Sequence, residues 1–158
     1  MQRRLLAAFL LLPLGAVGAA AQSESTSGSS GAQLPIKLRD ASMALQRGST
    51  DHAITLYTEA LDDKSLPNDR RATVLNDRGV AYSRRLNYKE AIDDFNRAIQ
   101  LYPEYPAVYN NRGNVLLGLG AVREAIKDFD RALLLAPGYA AAYSNRAGAY
   151  MKLGQTER

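Results

Sequence analysis

The sequence predicts an all-α fold in which helical hairpins of one kind stack side by side into a superhelix. Three observations carry this. The chain repeats itself with a period of 34 residues, each period holds two segments with apolar residues at helical spacing, and Gly and Pro punctuate the joins. Sliding the sequence by 34 aligns 72–105 with 106–139. Fourteen positions are then identical, among them Asn76/Asn110, Arg78/Arg112, Gly79/Gly113, Asp94/Asp128 and Phe95/Phe129. Chance matches would number roughly two over such a span.

The N-terminus reads as an address. Arg3 and Arg4 make the first residues positive, 5–17 is almost continuously apolar, and Ala19, Ala20 and Ala21 are the small residues a signal peptidase reads. This is the layout of a secretory signal peptide over 1–21, and it predicts a periplasmic or secreted protein. The apolar run is short for a membrane span, which takes about 20 residues. Membrane contact is therefore expected only through an uncleaved signal segment. The Ser- and Gly-dominated stretch 22–33 reads as a flexible linker, and the array is expected over 34–158.

The first unit, 34–71, is the most divergent. Its first helix is expected over 34–47. Ala53, Tyr57 and Ala60 stand 38 residues before Ala91, Phe95 and Ala98, so four extra residues fall in the turn at 64–69. In the second unit, 72–105, Asn87 precedes Tyr88 with Glu90 three positions on, a pattern like a capping box. In the third, 106–139, Pro106 suits a first helical position, where its missing N–H costs nothing. Tyr109, Gly113 and Leu116 share one helix face, and Gly118 and Gly120 end that helix. A second helix from about 122 to 135 carries Ala125, Ile126, Phe129, Ala132 and Leu133 on one side, closed by Pro137 and Gly138. The partial unit 140–158 keeps the register with Tyr143, Arg146 and Ala147. It reaches the place where its second helix is due, and Tyr143, Tyr150 and Leu153 would leave apolar surface uncovered. We read this as a fragment of a longer array in preference to a capping helix. About seven helices are expected after the signal peptide.

Small residues have a packing reason in this scheme. Gly79 and Gly113 on the first helices, with Ala91, Ala98, Ala125 and Ala132 on the second, permit close approach, and Phe95 and Phe129 fill the space beside them. A single hairpin cannot bury both of its apolar faces. Stacked hairpins can, and the concave side is then lined by the first helices.

The residues Tyr109, Gly113, Leu116, Ala125, Phe129, Ala132 and Pro137 resemble the tetratricopeptide repeat (TPR), of an exported bacterial type. Leu75, Gly79, Tyr82, Ala91, Phe95, Ala98 and Pro103 resemble it equally, and Tyr143 continues the series. The resemblance implies a right-handed superhelix of antiparallel hairpins. It also implies a ligand held against the first helices. Carried onto this chain, the groove positions are Asn76, Val80 and Ser83, then Ala107, Asn110, Asn111 and Asn114, then Ser144 and Asn145. A carboxamide both donates to and accepts from an extended peptide backbone. The alternative is that these Asn are solvated helix surface. Some members clamp the terminal carboxylate of chaperone peptides. Asn114 and Asn145 match two places of that clamp, but its Lys place holds Asn110, so the clamp is not expected.

Arg78, Arg112 and Arg146 recur where the family usually has Leu, and Asp94 and Asp128 recur with them. An Arg–Asp pair tying first and second helices is the expected role, with anion reading as the alternative.

Several functions are excluded by composition. There is no Cys, which removes disulfides, thiolate nucleophiles and Cys-ligated metals. His52 is the only histidine and has no companion ligand in sequence. Asp62-Asp63 and Asp93-Asp94 are helix neighbours that point to different sides. Formal charge is +4, and removal of Arg3 and Arg4 leaves 18 basic against 16 acidic side chains, too little for nucleic acid. The expectation is a non-catalytic scaffold or adaptor of the cell envelope without cofactor or metal, binding a protein or peptide. The alternatives are a binder of cell-wall glycan or peptide, or an N-terminal fragment of a larger TPR-containing protein.

Overall fold

The structure, a computed structural model, describes residues 27–156. They form seven helices in chain order: α1 Ser27–Gln46, α2 Thr50–Leu61, α3 Asn68–Arg84, α4 Tyr88–Leu101, α5 Pro106–Gly118, α6 Val122–Leu135 and α7 Ala140–Thr156. No strand occurs among the described residues. Each helix packs on its neighbours in sequence. In addition α1 touches α3, α3 touches α5 and α5 touches α7, while α2, α4 and α6 do not touch one another. The odd helices are thus crowded on an inner layer and the even helices are spread on an outer one. This is the geometry of a curved stack whose concave wall is made of first helices.

The expected equivalence of the hairpins holds at their centres. Phe95 and Phe129 are fully buried. Their rings lie against Gly79 and Gly113, where an added Cβ would meet the ring at 2.7 Å in both cases. In the first hairpin Ala41 and Tyr57 occupy the same two places and are buried together. Burying one such ring contributes about 1.5–3 kcal/mol.

The turn inside each hairpin is also built alike. Gly48, Leu86 and Gly120 have φ of 82°, 63° and 83°. The following N–H groups reach back five residues: Ser49 to the Ala44 carbonyl at 2.9 Å, Asn87 to Tyr82 at 3.0 Å and Ala121 to Leu116 at 2.9 Å. This is the Schellman closure, which calls for a left-handed residue and favours Gly there. The capping box expected at Asn87 does not form. Asn87 is the N-cap of α4, but its side chain makes no cap bond. The Schellman turn already fixes the chain entering the helix, and the Asn87 carbonyl accepts the Ala91 N–H at 3.1 Å.

The extra residues before α3 are pinned. Asp63 accepts from the Ser65 N–H at 2.9 Å and hydroxyl at 2.6 Å, bonds that hold its carboxyl below the ordinary value. The Arg71 guanidinium donates to the carbonyls of Leu61 at 2.7 Å and Asp63 at 2.6 Å, satisfying groups left open at the end of α2. Leu66 is buried beneath them.

The expected signal peptide, 1–21, lies outside the described residues. The expected linker, 22–33, does so only in part, because α1 begins at Ser27 and not at 34. Its docked half carries Ala41, Ala44 and Leu45 into the core. Once that half is ordered, each further residue adds a bond for little extra ordering cost. Pro35 inside the helix removes one of those bonds.

Candidate peptide groove

The Asn side chains on the inner wall divide into two kinds. Asn76 and Asn110 are each 4% exposed, and they brace neighbouring first helices. The Asn76 Oδ1 accepts from Asn111 Nδ2 at 2.9 Å, and the Asn110 Oδ1 accepts from Asn145 Nδ2 at 2.8 Å. One carboxamide rung therefore joins α3 to α5 and an identical rung joins α5 to α7. Asn111 and Asn145 are half-buried, and their own carbonyl oxygens carry no side-chain bond among the described residues. Asn114 and Ser144 are exposed, and Ser83, Val80 and Ala107 are half-buried. Of the sequence-predicted groove residues, Asn111, Asn114, Ser144 and Asn145 thus offer free polar atoms. Asn76 and Asn110 are committed to holding the wall.

Asp77 occupies the place of Asn111 and Asn145 on α3. It is half-buried and accepts from Asn76 Nδ2 at 3.1 Å. Burial outweighs that bond and raises its carboxyl above the ordinary range. Two tyrosines feel it. Tyr57 is pushed up to about 12, by burial first and then by Asp77, and Tyr105 is raised by the same two causes in the same order. The sequence reading missed Asp77 as a groove residue, although its 34-residue register with Asn111 places it there.

The α1 end of the wall is apolar. Leu38 stands where later units have Asn76 and Asn110, so the carboxamide ladder stops. Leu34, Pro35, Leu38, Leu66, Pro67 and Arg70 line an open cleft there. The four-residue insertion brings Leu66 and Pro67 to this cleft, which no repeat register could have shown.

Arg78 and Arg112 tie three helices each. Arg78 gives Nε and Nη2 to the two oxygens of Asp94 on α4 at 2.7 and 2.8 Å, and Nη1 to Thr58 on α2 at 3.0 Å. Arg112 does the same with Asp128 on α6 at 2.8 and 2.7 Å and with Asn96 on α4 at 2.7 Å. Each guanidinium also lies over a tyrosine, Tyr82 at 5.7 Å and Tyr109 at 5.8 Å. Both guanidinium groups are raised in pKa, Arg112 chiefly by the Asp128 bond. This is the interhelical role expected of them, and the link back to the preceding hairpin extends it.

Among the described residues, no group of three or more His, Cys, Asp or Glu could hold a metal ion, and no helix is long and apolar enough to cross a membrane.

Comparison with known proteins places this geometry. The tetratricopeptide repeat family model matches residues 72–105 and 106–139. The heat shock protein STI1 of Saccharomyces cerevisiae is 30% identical over 70 residues, covering 44% of this chain and 11% of the yeast protein. Tetratricopeptide repeat protein 28 of Mus musculus is 32% identical over 84 residues, covering 53% of this chain and 3% of the mouse protein. The chain thus spans about a tenth or less of the length of these two relatives. Among solved structures, the first TPR of Spaghetti (RPAP3) bound to the HSP90 peptide SRMEEVD superposes with a TM-score of 0.70 at 26% identity, covering 77% of this chain and 94% of that one. Residues 72–105 and 106–139 are therefore tetratricopeptide repeats, set in a seven-helix array of the TPR fold.

Proposed function

We propose that the chain is a non-catalytic scaffold that receives an extended peptide segment of a partner protein in the groove walled by α1, α3, α5 and α7. The observation that carries this is the row of free carboxamide atoms on Asn111, Asn114 and Asn145, of which Asn111 and Asn145 are held in place by rungs made with Asn76 and Asn110. Such a row meets peptide N–H and C=O groups at successive residues. The apolar cleft at α1 takes a large side chain at one end of the peptide. The peptide-bound RPAP3 domain supports the mode of binding, and its ligand ends in an acidic EEVD sequence. We assign a different peptide chemistry here. The clamp's Lys place holds Asn110, and Asp77 puts a carboxylate on the wall, so a neutral or basic segment is favoured over an acidic one.

We also propose that the protein acts in the cell envelope or outside the cell, delivered by residues 1–21. The basic, apolar and small-residue order of that segment supports this.

A peptide-display selection against the full chain tests the groove. The expected consensus is an extended segment with one large apolar residue and no acidic terminus, and Asn111→Ala with Asn145→Ala should weaken the selected peptides about tenfold or more. An acidic consensus, or binding indifferent to both substitutions, would overturn the assignment.

A further inference from the structure

The carboxamide ladder has one step built differently. Asn145 of α7 reaches back to Asn110 of α5, and Asn111 of α5 reaches back to Asn76 of α3. The next residue in that series is Asp77 of α3, and the place it would reach on α1 holds Leu38. A leucine side chain offers neither donor nor acceptor. Asp77 therefore keeps one bond, accepted from Asn76 Nδ2 at 3.1 Å, and its other oxygen has no partner among the described residues.

Other carboxylates of the array are given a cation. The buried Asp94 and Asp128 receive the forks of Arg78 and Arg112, and even the exposed Asp130 receives Nη1 of Arg146 at 2.7 Å. Asp77 receives none, although it is half-buried and only the Asn76 bond offsets its burial. Guanidinium groups on the same helix are engaged elsewhere. Arg71 holds the carbonyls of Leu61 and Asp63, Arg78 holds Asp94, and Arg84 gives Nη1 to the Leu45 carbonyl at 2.9 Å. A charge drawn out of water without a counter-charge destabilises the fold, and a ligand that brings the counter-charge removes that penalty.

We propose that Asp77 is a specificity-determining residue of the groove: it selects the partner segment by pairing with one arginine side chain, set four residues from the large apolar residue held in the α1 cleft. This rests on the groove reading above and names which segment the groove takes. The spacing follows from α3. Arg70 and Pro67 of the cleft precede Asp77 by seven and ten residues. That is about 10–15 Å at a helical rise of about 1.5 Å per residue. In an extended peptide, residues four apart face the same wall about 13 Å from each other. Leu38 lines the cleft and stands opposite Asp77 in the ladder, so one continuous surface presents both features. Arginine is favoured over lysine because a guanidinium is less strongly hydrated than an ammonium, and its fork can take the free oxygen of Asp77 while the Asn76 bond is kept.

The probes are four fluorescein-labelled, amidated nine-residue peptides of serine and alanine. Each has leucine in the third place and arginine, lysine, citrulline or glutamate in the seventh, and each is titrated with the full chain by fluorescence polarisation. The arginine form should bind about tenfold more tightly than the citrulline form, which has the same shape without the charge, and the glutamate form should bind most weakly. Asp77→Asn should abolish the arginine advantage and leave the citrulline affinity as it was, with a thermal melt to confirm that the variant is folded. Asn111→Ala should weaken all four peptides alike, which reports on the groove independently of the charge. Peptides that bind and respond to Asn111→Ala without an arginine advantage, or with one that survives Asp77→Asn, would overturn this assignment and leave the groove standing. Absence of binding by all four would overturn both readings.

Discussion

Gly113 and Phe129 are a fitted pair: a Cβ on Gly113 would stand 2.7 Å from Phe129 Cε1, and Gly79 stands in the same relation to Phe95. In most helices Gly→Ala gains about 1 kcal/mol of propensity. Here the added methyl would overlap the buried ring, and overpacking costs about 1–3 kcal/mol. Gly113→Ala should therefore lower stability by up to about 2 kcal/mol in urea unfolding. Phe129→Leu should recover part of that loss in the double variant. Gly118→Ala, where nothing lies within 4 Å, should not destabilise.

The Arg112–Asp128 fork gives a second prediction. Asp128 is 6% exposed, and Arg112→Ala leaves its carboxylate buried without the charge that compensates it. Breaking one side of a buried pair costs about 3–5 kcal/mol, and the partial exposure of Arg112 argues for the low end. Removing both partners should cost less than the sum of the single changes, read by a double-mutant cycle.

Leu86 is the third test. It holds φ +63° in a turn where Gly48 and Gly120 do the same work, and its side chain is 69% exposed. A left-handed non-glycine costs about 1–2 kcal/mol. Leu86→Gly should raise stability by about 1 kcal/mol after the added freedom of the unfolded chain is subtracted. Gly120→Ala should lower it by a similar amount, both read as shifts in thermal midpoint.

Asp77 predicts a pH dependence. Its unfolded carboxyl titrates at the ordinary value of 3.8 and its folded one higher, chiefly because of burial. Between the two the folded state holds more protons, so stability falls as pH rises through the folded pKa and the cost vanishes below the unfolded one. Asp77→Asn, which installs the residue found at Asn111 and Asn145, should raise the thermal midpoint at pH 7. The increment should shrink as the pH is lowered toward 4.

Periodicity made the hairpins legible. Glycine recurring opposite phenylalanine and arginine recurring sixteen residues before aspartate told which helices meet and through what. The rungs between Asn76 and Asn111 and between Asn110 and Asn145 were not legible. A carboxamide at a 34-residue spacing reads the same whether it faces solvent or the adjacent first helix, and only the distance between those helices decides. The back-links of Arg78, Arg112 and Arg146 were hidden because the accepting place holds Thr58, Asn96 and Asp130 in turn, three residue types with one hydrogen-bonding role. The turn of the second hairpin was hidden because Leu86 stands where its counterparts are glycine. The apolar cleft at α1 depends on an insertion, and no period describes an insertion.

The groove exists only if the first helices lie side by side in one register, and a nuclear Overhauser spectrum of the full chain tests that directly. Ring-shifted Hα signals of Gly79 and Gly113 with cross-peaks to Phe95 and Phe129 are predicted, together with side-chain amide contacts from Asn111 to Asn76 and from Asn145 to Asn110. Glycine signals at unshifted positions, or one set of contacts without the other, would contradict the stacked array.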